Sequence, residues 1–171
     1  MRAGSDVPSI GLLGGDLCRT VGGTGDRARL TGGDAMRLPV DVGHVVVDGR
    51  EHWFVAHLVA RRSWWRGEIV AVMNAEFIGH RDVAPRGHPN DGKLDVVRVD
   101  RAMSTRARWQ ARRRLSSGTY LPHPHISIRP LPQCSIALAR PLDMWLDGVR
   151  VARGVREITV RCLPDVVTVV V

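Results

Sequence analysis

Short apolar runs separated by turn residues dominate the chain from residue 40 onward. The clearest begins at Arg86-Gly87-His88-Pro89-Asn90-Asp91-Gly92-Lys93, a dense turn signal that feeds the alternating positions Leu94, Val96 and Val97. Pro89 fixes its own φ, Asn90 and Asp91 can bond the local backbone, and Gly92 tolerates positive φ, so the stretch reads as a turn entering a partly buried strand. The same patterning predicts strands at 45–47, 53–59, 68–78, 125–128, 134–139, 144–146, 149–151, 157–162 and 166–171. Asp48-Gly49 and Asp147-Gly148 read as two-residue hairpin turns. A helix is predicted over 103–115, where Ala, Arg, Gln and Leu follow Ser104 or Thr105 as an N-cap and stop at Ser116-Ser117-Gly118. A shorter helix at 16–21 sits in residues 1–36, a Gly-rich segment that otherwise reads as loops. Many short strands with turn signals predict a mainly β, sandwich-like domain over 37–171, with one or two short helices.

Composition narrows the class. A hydrophobic content of 44% belongs to a globular chain and not a disordered one. Cys18, Cys134 and Cys162 are odd in number and scattered, which argues against both a disulfide framework and a zinc site. No apolar run approaches the roughly 20 residues needed to cross a bilayer, and Asp6, Pro8 and several glycines interrupt the N-terminus, so a cytoplasmic protein is expected, with a peripheral membrane contact as its one membrane role. The net charge of +8 favours a polyanionic partner, either an anionic membrane or nucleic acid. Lys93 is the one lysine, so part of that charge is what arginine-rich codon usage alone would produce.

Several segments in order resemble the C-terminal domain of the diacylglycerol kinase and sphingosine kinase-like lipid kinases, a NAD kinase-like β-sandwich. Asn90-Asp91-Gly92-Lys93-Leu94-Asp95-Val96 resembles the family's Asp-Asp-Gly-x-Leu-Asp-Val element, with Asn90 in place of the first Asp. Pro39-Val40-Asp41-Val42-Gly43 resembles its Val-Asp-Leu-Gly strand, residues 73–85 the segment before the Asp-Asp-Gly element, 142–148 the strand ending in Asp-Gly-Glu, and 152–171 the closing strands. The family's junction motif Gly-Thr-Gly-Asn-Asp-x-Ala-Arg has two competing counterparts. Gly14-Gly15-Asp16-Leu17-Cys18-Arg19 keeps the Asp–Arg spacing and is preferred over Gly23-Thr24-Gly25-Asp26-Arg27-Ala28-Arg29.

The resemblance implies a set of sites. Gly14, Gly15 and Asp16 fall where the family's junction contacts its cofactor, though composition alone makes the glycines a weak signal, since neither a Walker A pattern nor a placed Gly-x-Gly-x-x-Gly occurs. Asp147 aligns with the Asp of the catalytic base element, and Val149 replaces its Glu with a side chain that cannot accept a proton. Asp91 aligns with a carboxylate that holds a structural Mg²⁺ together with main-chain carbonyls, here those of His88 and Lys93. The family's Gly-Gly-Asp-Gly-Thr nucleotide loop is not in this sequence, and 171 residues fall short of its two domains. The expectation is a lipid kinase-like chain that is degenerate or completed by a nucleotide-binding partner chain, which alone would bring ATP. The alternative is a non-enzymatic module for anionic lipid or nucleic acid.

Two basic features remain. Arg61, Arg62 and Arg66 flank Trp64-Trp65, and Arg106, Arg108, Arg112, Arg113 and Arg114 crowd the predicted helix around Trp109. The plain readings are core packing for the tryptophans and a solvated face for the helix. The sharper reading is a membrane contact, with tryptophan at the headgroup level and arginine on anionic lipid.

Overall fold

The computed structural model describes residues 8–171. Its elements are β1 (Ser9–Gly11), α1 (Gly15–Thr20), β2 (Arg37–Val47), β3 (Arg50–Phe54), β4 (His57–Arg61), β5 (Ile69–Met73), β6 (Phe77–Ile78), β7 (Arg81–Asp82), β8 (Leu94–Val99), α2 (Thr105–Arg114), β9 (Ile126–Leu131), β10 (Gln133–Leu146) and β11 (Val149–Val170). One sheet runs in the order β3-β2-β11-β10-β4-β5-β8-β9, β1 adds to β11 in parallel, and β6 and β7 form a separate ribbon. The chain is the mainly β, sandwich-like domain expected from its pattern.

The two longest strands make the sandwich. β10 and β11 span 14 and 22 residues, and their pairing slips between Ala137 and Leu142 and again before Trp145. Such irregularities bend a strand and increase its twist. The sheet therefore folds across its own face: Val45 and Phe54 from β2 and β3 pack in one cluster with Leu58, Val70, Val72 and Leu94 from β4, β5 and β8, although these strands are not neighbours in the sheet. Met144, Leu146, Val155 and Ile158 complete this inner core.

The opposite face of β4, β5 and β8 is also buried. Val59, Ile69, Ala71, Met73 and Val97 form a second cluster with Ala84, against which Ile78, Val83, Ile126 and Ile128 pack. Since successive side chains of a strand alternate between faces, burial on both sides is why 69–73 reads as an unbroken apolar run. α2 lies over this outer face, its start fixed by the Ala107 N–H donating to Ser104 Oγ at 3.2 Å. At the other end of the sheet α1 docks through Leu17 beside Val40, Ala56, Ala75 and Val169.

Both predicted hairpin turns are present, with Asp48 and Gly49 at φ 50° and 73° and Asp147 and Gly148 at φ 46° and 85°, as a two-residue turn with positive φ at both positions requires. Other boundaries moved. The strand expected at 53–59 is two strands, because Val55, Ala56 and His57 turn their N–H groups onto a side chain from elsewhere in the sheet. The run expected at 68–78 stops at Met73, where Asn74 Nδ2 donates to the carbonyls of Asp41 and Val55. The separate strands expected at 134–139 and 144–146 merge into β10, and those at 149–151, 157–162 and 166–171 into β11. Pro141, Gly154 and Pro164 fall in the gaps between the expected strands and are absorbed by the pairing irregularities of these long strands. β1 was not legible in the Gly-rich segment.

Gly43 shows how tightly the inner core is filled. It pairs with Phe54 across β2 and β3, and a Cβ there would lie 2.1 Å from the Phe54 ring. Gly43→Ala is expected to cost about 1–3 kcal/mol in urea unfolding, as overpacking of a dense core does. Phe54→Leu added to it should recover part of that loss, and additive losses in the double variant would show that the ring is not the obstacle.

Candidate functional site

Two of the sequence-selected residues, Asp147 and Asp16, meet at one corner of the sheet, joined by His57. Asp147, in the β10–β11 turn, accepts from Val55 N–H through Oδ2 and from Ala56 and His57 N–H through Oδ1, each at 2.9 Å. The carboxylate thereby caps the β3–β4 turn with both oxygens. His57 itself is buried, and its Nε2 lies 2.9 Å from Asp16 Oδ2, while the other oxygen of Asp16 accepts the Gly79 N–H at 2.8 Å. Asp16 thus ties α1 to β4 and to the β6–β7 ribbon. Arg19 extends the corner, lying over the Phe77 ring and within 3.2 Å of His80 Nδ1. Gly14 and Gly15, at positive φ, are exposed and open in front of α1. In the competing register Asp26 only closes a local turn through the Ala28 N–H, so the preferred register is the one that places its Asp in this cluster. Val149 is 66% exposed, an apolar side chain where the base element has Glu.

The turn before β8 is organised by a residue the sequence offered only as part of a strand. Asp41 is fully buried; its carboxylate accepts Gly92 N–H at 2.8 Å and Asp165 N–H at 3.1 Å, and its own N–H donates to the Pro89 carbonyl at 2.7 Å. This network closes the turn through the protein's own groups. It also reaches Cys162, whose thiol is pushed up to about 12 by burial and by the neighbouring Asp41 carboxylate. Asp91 is exposed, and its Oδ1 accepts the Lys93 N–H at 2.9 Å, leaving Oδ2 without a partner among the described residues. Asp95 lies close enough to Asp91 to feel its charge: its carboxyl is pushed up by burial first and by Asp91 second, with His88 pulling the other way. Among the described residues no group of three or more His, Cys, Asp or Glu side chains could hold a metal, so a hard divalent ion at Asp91 would draw most of its ligands from main-chain carbonyls and water.

A mainly apolar opening lies on the outer face of the sheet, beneath α2. It is a cavity of about 240 Å³, floored by Ile69, Ala71 and Val97 and walled by Met103 and Ala111. Trp64 and Trp65 line it and are 39% and 41% exposed, so they belong neither to the core nor wholly to solvent. Arg61 stacks 4.3 Å from the Trp64 ring centre, Arg112 5.4 Å from that of Trp65 and Arg113 4.8 Å from that of Trp109, which is 50% exposed. Arg62 and Arg66 are exposed on the same link. Trp65, Trp109, Arg112 and Arg113 also share a shallow surface hollow with His80 and Arg81. Among the described residues no helix is long and apolar enough to cross a membrane.

The strand order and the self-packed sheet are those of a β-sandwich-like domain. Residues 39–171 match the family described as the YegS C-terminal NAD kinase beta sandwich-like domain, and the chain belongs to that family. A solved structure provisionally described as a diacylglycerol kinase from Bacillus anthracis str. Sterne is similar with a TM-score of 0.68 and 15% identity, over 95% of this chain and 69% of that one. Another, described as a diacylglycerol kinase from the same organism, has a TM-score of 0.67 and 16% identity, over 95% of this chain and 66% of that one. At such identities the likeness is one of fold. None of the curated proteins matches the chain.

The carboxyl cluster makes stability depend on pH. Because burial and Asp91 raise Asp95, the folded state keeps this proton to higher pH than the unfolded chain, whose carboxyl titrates near about 3.9. Above that value the folded state binds more protons than the unfolded one, so this group lowers stability as pH rises toward its folded pKa. Glu76 and Asp82, raised chiefly by burial, act in the same direction. Asp95→Asn should therefore flatten the decline of melting temperature between pH 4 and 7 and melt no lower than wild type at pH 7. A steeper decline in the variant would contradict this placement of the charge.

Proposed function

We propose that this chain is the lipid-engaging half of a diacylglycerol kinase-type system, docking on anionic membrane and accepting a lipid chain in the cavity beneath α2. The observation that carries the reading is the continuity of that cavity with the Trp64-Trp65 link: the same half-exposed tryptophans line an apolar opening and sit among arginines. Tryptophan at the headgroup level with arginine on anionic lipid is the combination that holds a peripheral protein at an interface, each cation adding about 1 kcal/mol near a charged surface.

Phosphoryl transfer needs a cradle for the donor phosphates, a metal ion to bridge their oxygens and a group that orients the attacking hydroxyl. In this reading the cradle and ATP come from a nucleotide-binding domain outside this sequence, which meets the exposed Gly14-Gly15 loop and the Asp16 corner. Asp147 shapes that corner by holding the β3–β4 turn, and both its oxygens are engaged on main chain. Without the Glu of the base element at Val149, deprotonation would fall to a group from the partner or to the lipid's own surroundings. Mg²⁺ at Asp91, with the His88 and Lys93 carbonyls, would stiffen the turn before β8 and supply charge neutralisation there.

Two experiments test these statements. Cosedimentation with vesicles should rise with phosphatidylserine content, fall with salt, and drop several-fold in a folded Trp64→Ala, Trp65→Ala double variant. Binding that depends on the arginines but ignores that double change would instead favour a purely electrostatic surface, the behaviour of a nucleic-acid module. For the metal, millimolar Mg²⁺ should raise the melting temperature of wild type and leave Asp91→Asn unmoved; an equal response in both would remove Mg²⁺ from this turn.

A further inference from the structure

The shallow hollow beside α2 is lined by side chains that almost all donate. Arg112 and Arg113 contribute to it from the last turn of α2, Arg81 and His80 from the β6–β7 ribbon, and no Asp or Glu lines it. Among the described residues no ion pair engages Arg81, Arg112 or Arg113, and the last two lie over the Trp65 and Trp109 rings. His80 adds a further donor. The Arg19 guanidinium 3.2 Å from its Nδ1 can only donate, so Nδ1 accepts and Nε2 carries the ring hydrogen. Ser116 spends its hydroxyl hydrogen on the Arg113 carbonyl at 3.2 Å, which leaves its Oγ as the one unused side-chain acceptor on the wall.

Cations in the last turn of a helix complement its C-terminal dipole, and that alone would account for Arg112 and Arg113. It does not account for Arg81 and His80, which come from another element to the same hollow. Nor does it account for position. Trp65, Arg81 and Arg112 line both this hollow and the apolar cavity beneath α2, so a cationic space and an apolar one share a wall. Side by side they have the polarity of a single amphiphile, with room for an anionic head in one and its chain in the other.

We infer that the hollow holds the phosphomonoester head of a lipid whose chain enters the cavity. A phosphomonoester brings about −1.5 to −2 charges and three acceptor oxygens, enough to engage guanidinium groups from both elements at once, whereas a phosphodiester or a carboxylate carries a single charge. The surface thereby selects phosphomonoester headgroups among anionic lipids and does not merely sense surface charge. The inference rests on the docking and lipid-cavity reading above and adds to it the class of headgroup.

The test uses the full chain and cosedimentation with phosphatidylcholine vesicles that contain either phosphatidate or phosphatidylserine, the two matched in zeta potential. Phosphatidate vesicles should bind at least about fivefold more tightly, the advantage of further charge-assisted bonds at the head. Arg81→Gln with Arg113→Gln should abolish that preference. Arg106→Gln with Arg114→Gln, which removes the same charge from exposed α2 positions outside the hollow, should weaken both kinds of binding and keep the ratio. Should the first double variant fail to fold, Arg113→Gln alone, at an exposed position, takes its place and should lower the ratio. Equal binding of the two vesicle types, or a phosphatidate preference that survives loss of the hollow's arginines, overturns the headgroup assignment and leaves membrane docking standing. In solution, tryptophan fluorescence should respond to lysophosphatidate at least about tenfold below the concentration of glycerol 3-phosphate that it needs, because burial of the chain adds to the affinity of the head. Equal potency of the two makes this a site for water-soluble phosphate and overturns the lipid ligand. Binding to neither vesicle type is the failure of the docking reading itself and takes this inference with it.

Discussion

Ile69, Val70, Ala71, Val72 and Met73 are all buried, so the middle of the sheet needs an apolar partner on each of its faces. On the inner side the sheet supplies that partner itself by folding across the bends in β10 and β11. On the outer side the work falls to α2, the β6–β7 ribbon and the loop after it. α2 is poorly suited to be a core helix: five of its ten residues are arginine, and only Arg108 and Ala111 are buried. A helix that cannot fill the space it covers leaves a hollow. In that sense the cavity follows directly from the mismatch between an apolar strand and an arginine-rich lid, and the half-exposed tryptophans at its mouth are what the remaining apolar surface recruits.

Much of this was readable in the chain. Alternation and turn chemistry located the sandwich, both Asp-Gly hairpins and the two helices, because these are local signals that the backbone obeys wherever they occur. What escaped were features fixed by distant groups. Nothing local to Val55-Ala56 announces a strand break; the break exists because Asp147, some ninety positions away, collects three N–H groups there. Likewise Pro141 and Pro164 behave as terminators in any window of a dozen residues, and only the pairing of β10 with β11 shows that the strands run through them. Among the candidate residues, the sequence pointed to Asp16 and Asp147 but not to His57, which joins them. Asp91 was selected for its motif, while Asp41, which holds the same turn from inside, looked like one polar position in an apolar strand. Arg108 was one of five arginines on a helix, and no periodicity distinguishes the one that points inward from those that do not.

Asp41 and Asp147 share a physical device. Each carboxylate gathers main-chain N–H groups from segments remote in sequence, so that turns which must be fixed in space are fixed by charge-assisted bonds and not by packing. This leaves the corner rigid without occupying its surface with apolar side chains. It also separates two roles that a motif alone conflates: an Asp in an Asp-Gly-Glu-like element can be indispensable as a brace whether or not chemistry occurs beside it.

The Asp41 network has a consequence in the time domain. With its pKa displaced to about 12 beside that carboxylate, the Cys162 thiol is held in its unreactive protonated form for as long as β2 and β11 stay zipped around it. Parting of that seam would hydrate the sulfur and remove the neighbouring negative charge at once, returning the thiol to ordinary acidity. The rate at which this sulfur is alkylated, followed apart from Cys18 and Cys134, therefore reports on breathing of the sandwich through the molecule's own electrostatics.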